Sequence, residues 1–305
     1  MAKRIKILIG PSTFAELDPA PADRLIKNGF DIIKNPFGKK LTQEELISLL
    51  PGVQGLIAGL ETLNRQILEG SDLKVISRCG AGVSNIDFKA ADELGIKIFS
   101  TPDAPTEAVA ELVVGAMLSL VRHIPQMNSD LHNGKWVKKI GIQLEGKTIT
   151  IIGFGRIGRR VEEILRPFKM NILAVDKDYN IESNGIRIVN LHEALPLSDI
   201  ITIHASGDEE ILGQKEFALM KKGIFLLNCA RGNTIDEKEL MGGLESGRIA
   251  GAWLDCFITE PYNGQLSKYP QVIMTPHVGS YTFECRRKME MEAVDNIIKG
   301  FRSLE

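Results

Sequence analysis

Thr148-Ile-Thr-Ile-Ile-Gly-Phe-Gly-Arg-Ile-Gly158 is an apolar, β-branched run that leads straight into a glycine-rich turn. β-Branched residues suit a pleated, packed surface, so Thr148–Ile152 is expected as a strand. Arg159–Leu165 continues with helical spacing. A G-x-G-x-x-G is a weak signal by itself, but between a strand and a helix it marks a dinucleotide site. Gly153 is expected to make the tight turn, Gly155 to admit a pyrophosphate close to the backbone, and Gly158 to let the helix pack on the strand. The helix N-terminus then offers N–H groups and positive dipole to the phosphates. The next run, Asn171-Ile-Leu-Ala-Val-Asp176, puts Asp176 18 residues beyond Gly158. A carboxylate there accepts from both ribose hydroxyls and repels a 2′-phosphate, which favours NAD over NADP. Lys177 tempers that preference.

Working outward, the pattern repeats on both sides. Before the turn, short apolar runs at Ile5–Ile9, Phe30–Ile33, Val53–Ala58, Lys74–Ser77 and Ile96–Phe99 alternate with helix-like stretches. Thr42-Gln-Glu-Glu45 has the form of a capping box. After the turn, strands are expected at Ile172–Val175, Arg187–Val189, Ile200–His204, Ile224–Asn228, Ala250–Leu254 and Val272–Met274, ending in a helix over Thr282–Phe301. Strands alternating with helices predict parallel sheets covered on both faces. Ser100-Thr-Pro-Asp-Ala-Pro-Thr106 interrupts the alternation, because two prolines cannot sit inside a helix or a central strand. A domain crossing is placed there, followed by one long helix from about Glu107 to Leu131.

Composition narrows the function classes. The 305 residues suffice for two domains with their own cores, and 44% apolar with 25% charged is ordinary for a globular chain. A formal net charge of -2 gives no sign of a nucleic-acid partner. Ala108–Val121 is too short to span a bilayer and contains Glu111. Cys79, Cys229, Cys256 and Cys285 form no metal-ligand spacing and read as free thiols in a reducing compartment. The expectation is a cytoplasmic protein with no metal, no membrane partner and no nucleic acid.

Three later segments place polar residues at strand ends, where open α/β sheets bind ligands. Ile224–Asn228 runs into Cys229-Ala-Arg231-Gly232, and an arginine there can hold a carboxylate through two parallel N–H bonds. Ala250–Leu254 runs into Asp255 and Glu260. Val272–Met274 runs into Thr275-Pro-His277-Val-Gly279. Taken singly, Arg231 reads equally as a solvated side chain, Glu260 as a loop residue before a proline, and His277 as structural. Together they supply what reduction of a 2-oxo acid requires: a cation for the carboxylate, an acid titrating near neutrality, and a carboxylate to hold the imidazolium.

These motifs resemble the D-isomer-specific 2-hydroxyacid dehydrogenases, particularly their phosphoglycerate-dehydrogenase-like branch. The likeness covers nearly the whole chain: Ser77–Asp87, Glu107–Glu111, Gly153–Gly158, Asn228–Gly232, Asp255 with Glu260-Pro261, and Thr275–Ser280. It implies an NAD-dependent oxidoreductase acting on a small D-2-hydroxy or 2-oxo acid, 3-phosphoglycerate or a related one. It implies a catalytic set of Arg231, Glu260 and His277, and a carboxylate cradle from the Ala81-Gly82 backbone beside Arg231. Asp255 looks like the residue that holds the nicotinamide carboxamide. Arg156, Ile157, His204, Cys229 and Gly279 match further cofactor-contacting positions. The implied fold is α/β with two doubly wound, Rossmann-like parallel-sheet domains. A cofactor domain over residues 102–282 is inserted into a flavodoxin-like substrate domain over residues 1–101 and 283–305. A homodimer through the long helix is also implied.

Departures from the family pattern are visible. His204-Ala-Ser206-Gly207 lacks the usual proline, which bears on the shape of that cofactor loop. Ser84 stands where an acid is common. No regulatory domain is expected after Glu305. A formate-dehydrogenase-like enzyme on the same fold is disfavoured by Glu260, since that branch pairs its histidine with an amide. The alternative from another class is a non-enzymatic NAD(H)-sensing binding protein; it would bind NADH yet turn over no 2-oxo acid.

Overall fold

The computed structural model describes residues 4–178, 186–207 and 209–304; the basic start at Met1–Lys3 and the terminal Glu305 lie outside them. The chain divides into two compact units, Met1–Pro105 with Ser280–Glu305, and Thr106–Gly279.

The first unit is a five-stranded parallel sheet. Its strands are β1 (Lys6–Ile9), β2 (Asp31–Lys34), β3 (Gly55–Ala58), β4 (Val75–Arg78) and β5 (Lys97–Ser100), in the order β2-β1-β3-β4-β5. That is the flavodoxin-like order. The connecting helices are α1 (Ala20–Lys27), α2 (Gln43–Leu49), α3 (Arg65–Glu69) and α4 (Phe88–Glu93). Their starts are set locally. Thr42 and Glu45 close the expected capping box, and Asn64 and Asp87 cap α3 and α4. β3 and β4 are buried along their whole length, as strands covered on both faces must be. One face carries Leu46, Ile67 and Ala90 against Leu8, Leu56 and Ile76. The other is covered by the final helix, α11 (Phe283–Arg302), whose Val294, Ile297 and Phe301 pack with Ile7, Ile57 and Val75. Gly300 meets Val75 so closely that no side chain fits there.

The second unit is a seven-stranded parallel sheet. Its strands are β6 (Thr148–Ile152), β7 (Asn171–Val175), β8 (Arg187–Ile188), β9 (Ile200–Ile203), β10 (Ile224–Asn228), β11 (Ile249–Leu254) and β12 (Val272–Met274). The order β12-β11-β10-β9-β6-β7-β8 reverses between β6 and β9, the doubly wound arrangement. The helices are α5 (Thr106–Val121), α6 (Ile124–His132), α7 (Arg156–Leu165), α8 (Leu191–Ala194), α9 (Gln214–Leu219) and α10 (Glu237–Glu245). α5 presents Val113, Met117 and Leu120 to Ile149, Ile151, Val161 and Trp253.

The single long helix expected from Glu107 to Leu131 is two helices instead. The chain turns at His123 (φ 54), and α5 and α6 meet at 63°. Pro125 supplies the reason: it has no N–H to give, and its ring would strike the carbonyl four residues earlier. Among the described residues no single helix is long and apolar enough to cross a membrane.

Candidate active site

The glycine turn after β6 has three differently crowded positions. Gly153 has φ +91, and a Cβ on it would overlap the backbone of His204 and Ala205. Only glycine adopts that conformation at no cost, and only glycine fits the gap. A Cβ on Gly158 would strike the Gly153 carbonyl, so α7 can approach β6 only without a side chain there. Gly155, in contrast, faces open space. An open backbone position directly before a helix N-terminus is what a pyrophosphate needs. Arg156, exposed, and Ile157, half-buried, open the helix. Asp176, just past β7, accepts the Phe154 N–H at 2.7 Å and the Asp178 N–H at 3.1 Å. Its carboxylate is thereby fixed across the mouth of the glycine turn. Lys177 pairs with Glu209 at 2.8 Å, both side chains well exposed.

His204 follows β9 and is tied on both nitrogens. Nε2 lies 2.9 Å from Thr202 Oγ1 and Nδ1 3.2 Å from Cys229 Sγ. Burial pushes its pKa down to about 3, so the ring is neutral at ordinary pH. The same burial pushes the Cys229 thiol far up. The two residues form an uncharged wall beside Gly153.

Arg231 stands at the start of a tight turn, Gly232–Thr234, that follows β10. Asn228 shapes this turn: its Nδ2 donates to the Arg231 carbonyl at 2.9 Å and its Oδ1 accepts the Ala230 N–H at 3.0 Å. Arg231 Nη1 donates to the Ala230 carbonyl at 2.7 Å. Gly232 lies so close to the Phe257–Ile258 backbone that a Cβ would overlap it, which seats the Arg231 turn on the segment leading to Glu260.

His277 Nδ1 lies 3.0 Å from both oxygens of Glu260, with both side chains about a third exposed. Glu260 also accepts the Phe257 N–H at 3.1 Å, which fixes its direction. His277 has φ 53, a left-handed conformation that costs a non-glycine residue about 1–2 kcal/mol. Asp255 holds it there. The carboxylate is 2% exposed and accepts from Thr275 Oγ1 at 2.6 Å, Val278 N–H at 2.9 Å and Gly279 N–H at 2.9 Å, on either side of the histidine. Trp253 Nε1 donates to Thr275 Oγ1 at 3.1 Å and completes the chain. Thr275 and Trp253 had no role in the sequence reading; a threonine two residues before the histidine was the available signal. Burial raises the Cys256 thiol to about 12, with Asp255 and Glu260 adding to the effect and Arg231 opposing it. These three charged groups therefore act on one small volume.

Ala81 and Gly82 lie in the five-stranded unit, in the loop after β4. The loop is pinned to Thr101, whose Oγ1 accepts the Gly80 N–H at 2.8 Å and whose N–H donates to the Gly80 carbonyl at 3.1 Å. Ala81 is exposed and Gly82 half-buried.

Residues 114–279 match the family model described as D-isomer specific 2-hydroxyacid dehydrogenase, NAD binding domain. The chain is 37% identical to D-3-phosphoglycerate dehydrogenase of Sus scrofa over 98% of its own length and 57% of the relative's. It therefore spans little more than half of that longer protein. It is also 37% identical to hydroxypyruvate reductase of Thermotoga maritima, over 85% of this chain and 88% of that one. A solved glyoxylate reductase from Paecilomyes thermophila superposes with a TM-score of 0.87 at 29% identity, covering 97% of this chain and 94% of the other.

Proposed function

Because the chain belongs to the D-isomer specific 2-hydroxyacid dehydrogenases, we propose that it is an NAD-dependent oxidoreductase acting on a small D-2-hydroxy or 2-oxo acid. The observation that carries this reading is the His277–Glu260 pair, held by Asp255 and set beside the Arg231 turn. NAD, when bound, exchanges a hydride with carbon 2 of the acid. Gly153, Gly155, Gly158, Arg156 and Ile157 hold its pyrophosphate, and Asp176 its ribose. His204, Cys229 and Gly279 would make further contacts to it, and Asp255, which holds the 275–279 loop, would hold the nicotinamide carboxamide.

Arg231, with the Ala81 and Gly82 backbone, binds the substrate carboxylate. His277 gives its proton to the oxygen on carbon 2 during reduction and takes it back during oxidation. Glu260 accepts the Nδ1–H, stabilises the imidazolium and leaves Nε2 to carry the proton exchanged with substrate. The boundaries 1–101 with 283–305 and 102–282 are the proposed substrate and cofactor domains.

A homodimer is the proposed assembly. Trp136 is 82% and Ile140 95% exposed, with Ile124 and Leu131 exposed nearby on α6, an apolar set that a second copy would cover. All four cysteines are free, which suits the proposed cytoplasmic location.

The test is NADH oxidation against a panel of 2-oxo acids that includes hydroxypyruvate, glyoxylate and 3-phosphohydroxypyruvate. Turnover of one member supports the enzyme. Tight NADH binding with no turnover on the full panel supports a sensor instead.

A further inference from the structure

The first unit has a crevice of its own. In the order β2-β1-β3-β4-β5 the direction of winding reverses between β1 and β3, and ligands of such sheets enter at the carboxyl ends of those strands. The first residues past β1 and β3 are Gly10 and Gly59. The carboxyl group of Glu61 lies over both. Its Oε1 accepts the Gly59 N–H at 2.8 Å, and a Cβ on either glycine would overlap the carboxyl. Glu61 is 2% exposed. Its loop is anchored from below: Asn85 Nδ2 donates to the Glu61 carbonyl at 2.6 Å and to the Gly59 carbonyl at 3.3 Å. Asn85 belongs to the loop that carries Ala81 and Gly82. Burial raises the pKa of this carboxyl group, opposed by the Gly59 and Glu61 N–H groups and, more weakly, by Arg78 and Lys40.

We infer that Glu61 is a specificity-determining residue, which turns the substrate site against a phosphorylated group on carbon 3 and toward an uncharged, hydroxyl-bearing one. A phosphate entering this crevice meets the enclosed Glu61 carboxyl group in a poorly solvated place, where repulsion by its ionised form is little screened. A hydroxyl group does not have this difficulty and can donate to the carboxylate. The inference rests on the dehydrogenase reading above.

Glu61→Gln separates charge from shape, since the amide oxygen still accepts the Gly59 N–H and fills the same space. Wild type and variant are compared in NADH-dependent reduction of hydroxypyruvate and of 3-phosphohydroxypyruvate. Binding of D-glycerate and of 3-phosphoglycerate is followed in both by calorimetry. The expected wild type favours the unphosphorylated member of each pair, and Glu61→Gln shifts that ratio by about tenfold or more toward the phosphorylated member. An unshifted ratio overturns the inference, as does a wild type that already prefers the phosphorylated member. A wild type that binds D-glycerate but reduces neither acid overturns the dehydrogenase reading alone, and the binding ratio then judges Glu61. Loss of both binding and turnover overturns both.

Discussion

The two units share a winding plan and treat its crevice in opposite ways. Past β6, the turn keeps Gly155 open to solvent and aims the N-terminus of α7 across it. Past β1, the space over Gly10 is closed by the carboxyl group of Glu61, brought in from the neighbouring loop. One turn leaves open space over its backbone; the other is filled by a single acid. Both use glycine, but for different reasons. In the second unit, missing side chains let backbone segments approach at Gly153 and Gly158 and leave Gly155 uncovered. In the first, they make room for a side chain of the protein itself. Shared topology therefore fixes where a ligand enters, while a few residues past each strand fix what can enter.

Substitutions can break this contrast. The largest effect is expected at the acid itself. His277→Ala should lower turnover by about 10²–10⁴ and leave the NADH dissociation constant nearly unchanged; undiminished turnover would remove His277 from the reaction. Arg231→Ala should weaken oxo-acid binding by about 2–4 kcal/mol, read as a rise in KM or loss of saturation. Normal saturation in that variant would refute the carboxylate clamp.

Gly153→Ala forces a Cβ into the Ala205 backbone at a positive φ, and strain of about 1–3 kcal/mol should appear as weaker NADH binding in a fluorescence titration. Gly10→Ala, which displaces only the Glu61 carboxyl group, should leave that titration unaltered. Equal losses in the two variants would mean that the crevices are not independent.

Per pH unit, the smallest effect concerns His204. Its pKa falls from 6.5 in the unfolded chain to about 3 in the fold, so the unfolded chain binds the proton first. The stability from this neutral ring is complete above pH 6.5 and is lost as pH falls toward 3. His204→Gln should therefore flatten the decline of stability with acid by up to about 1.4 kcal/mol per pH unit. Parallel urea-denaturation series for the two proteins between pH 7 and 4 would show that His204 is not the source.

Much of this was legible in the residues. The Thr148–Gly158 run located the strand, the turn and the helix, because a β-branched run, a glycine turn and helical spacing follow one another directly. The capping box at Thr42 and the doubly wound class followed from short-range patterns of the same kind. The break at His123 was also written in Pro125, but the strong apolar run of α5 masked it. The loops past the first-unit strands, Gly10–Thr13 and Gly59–Thr62 among them, are legible as the place where a ligand enters, but the burial of Glu61 left no local signature. A glutamate in a loop reads as solvated until two distant glycines are seen to make room for it.

By itself, the sequence determined which segments are strands and helices, where the dinucleotide turn lies, and which polar residues end their strands. Those features depend on neighbours within a few positions. The tertiary structure alone decided that Glu260 meets His277, that Asp255 holds the histidine in its left-handed conformation, and that Glu61 is buried over Gly10 and Gly59. Such arrangements depend on how strands far apart in the chain are ordered and on which side-chain volumes their meeting leaves empty, and no local pattern encodes either.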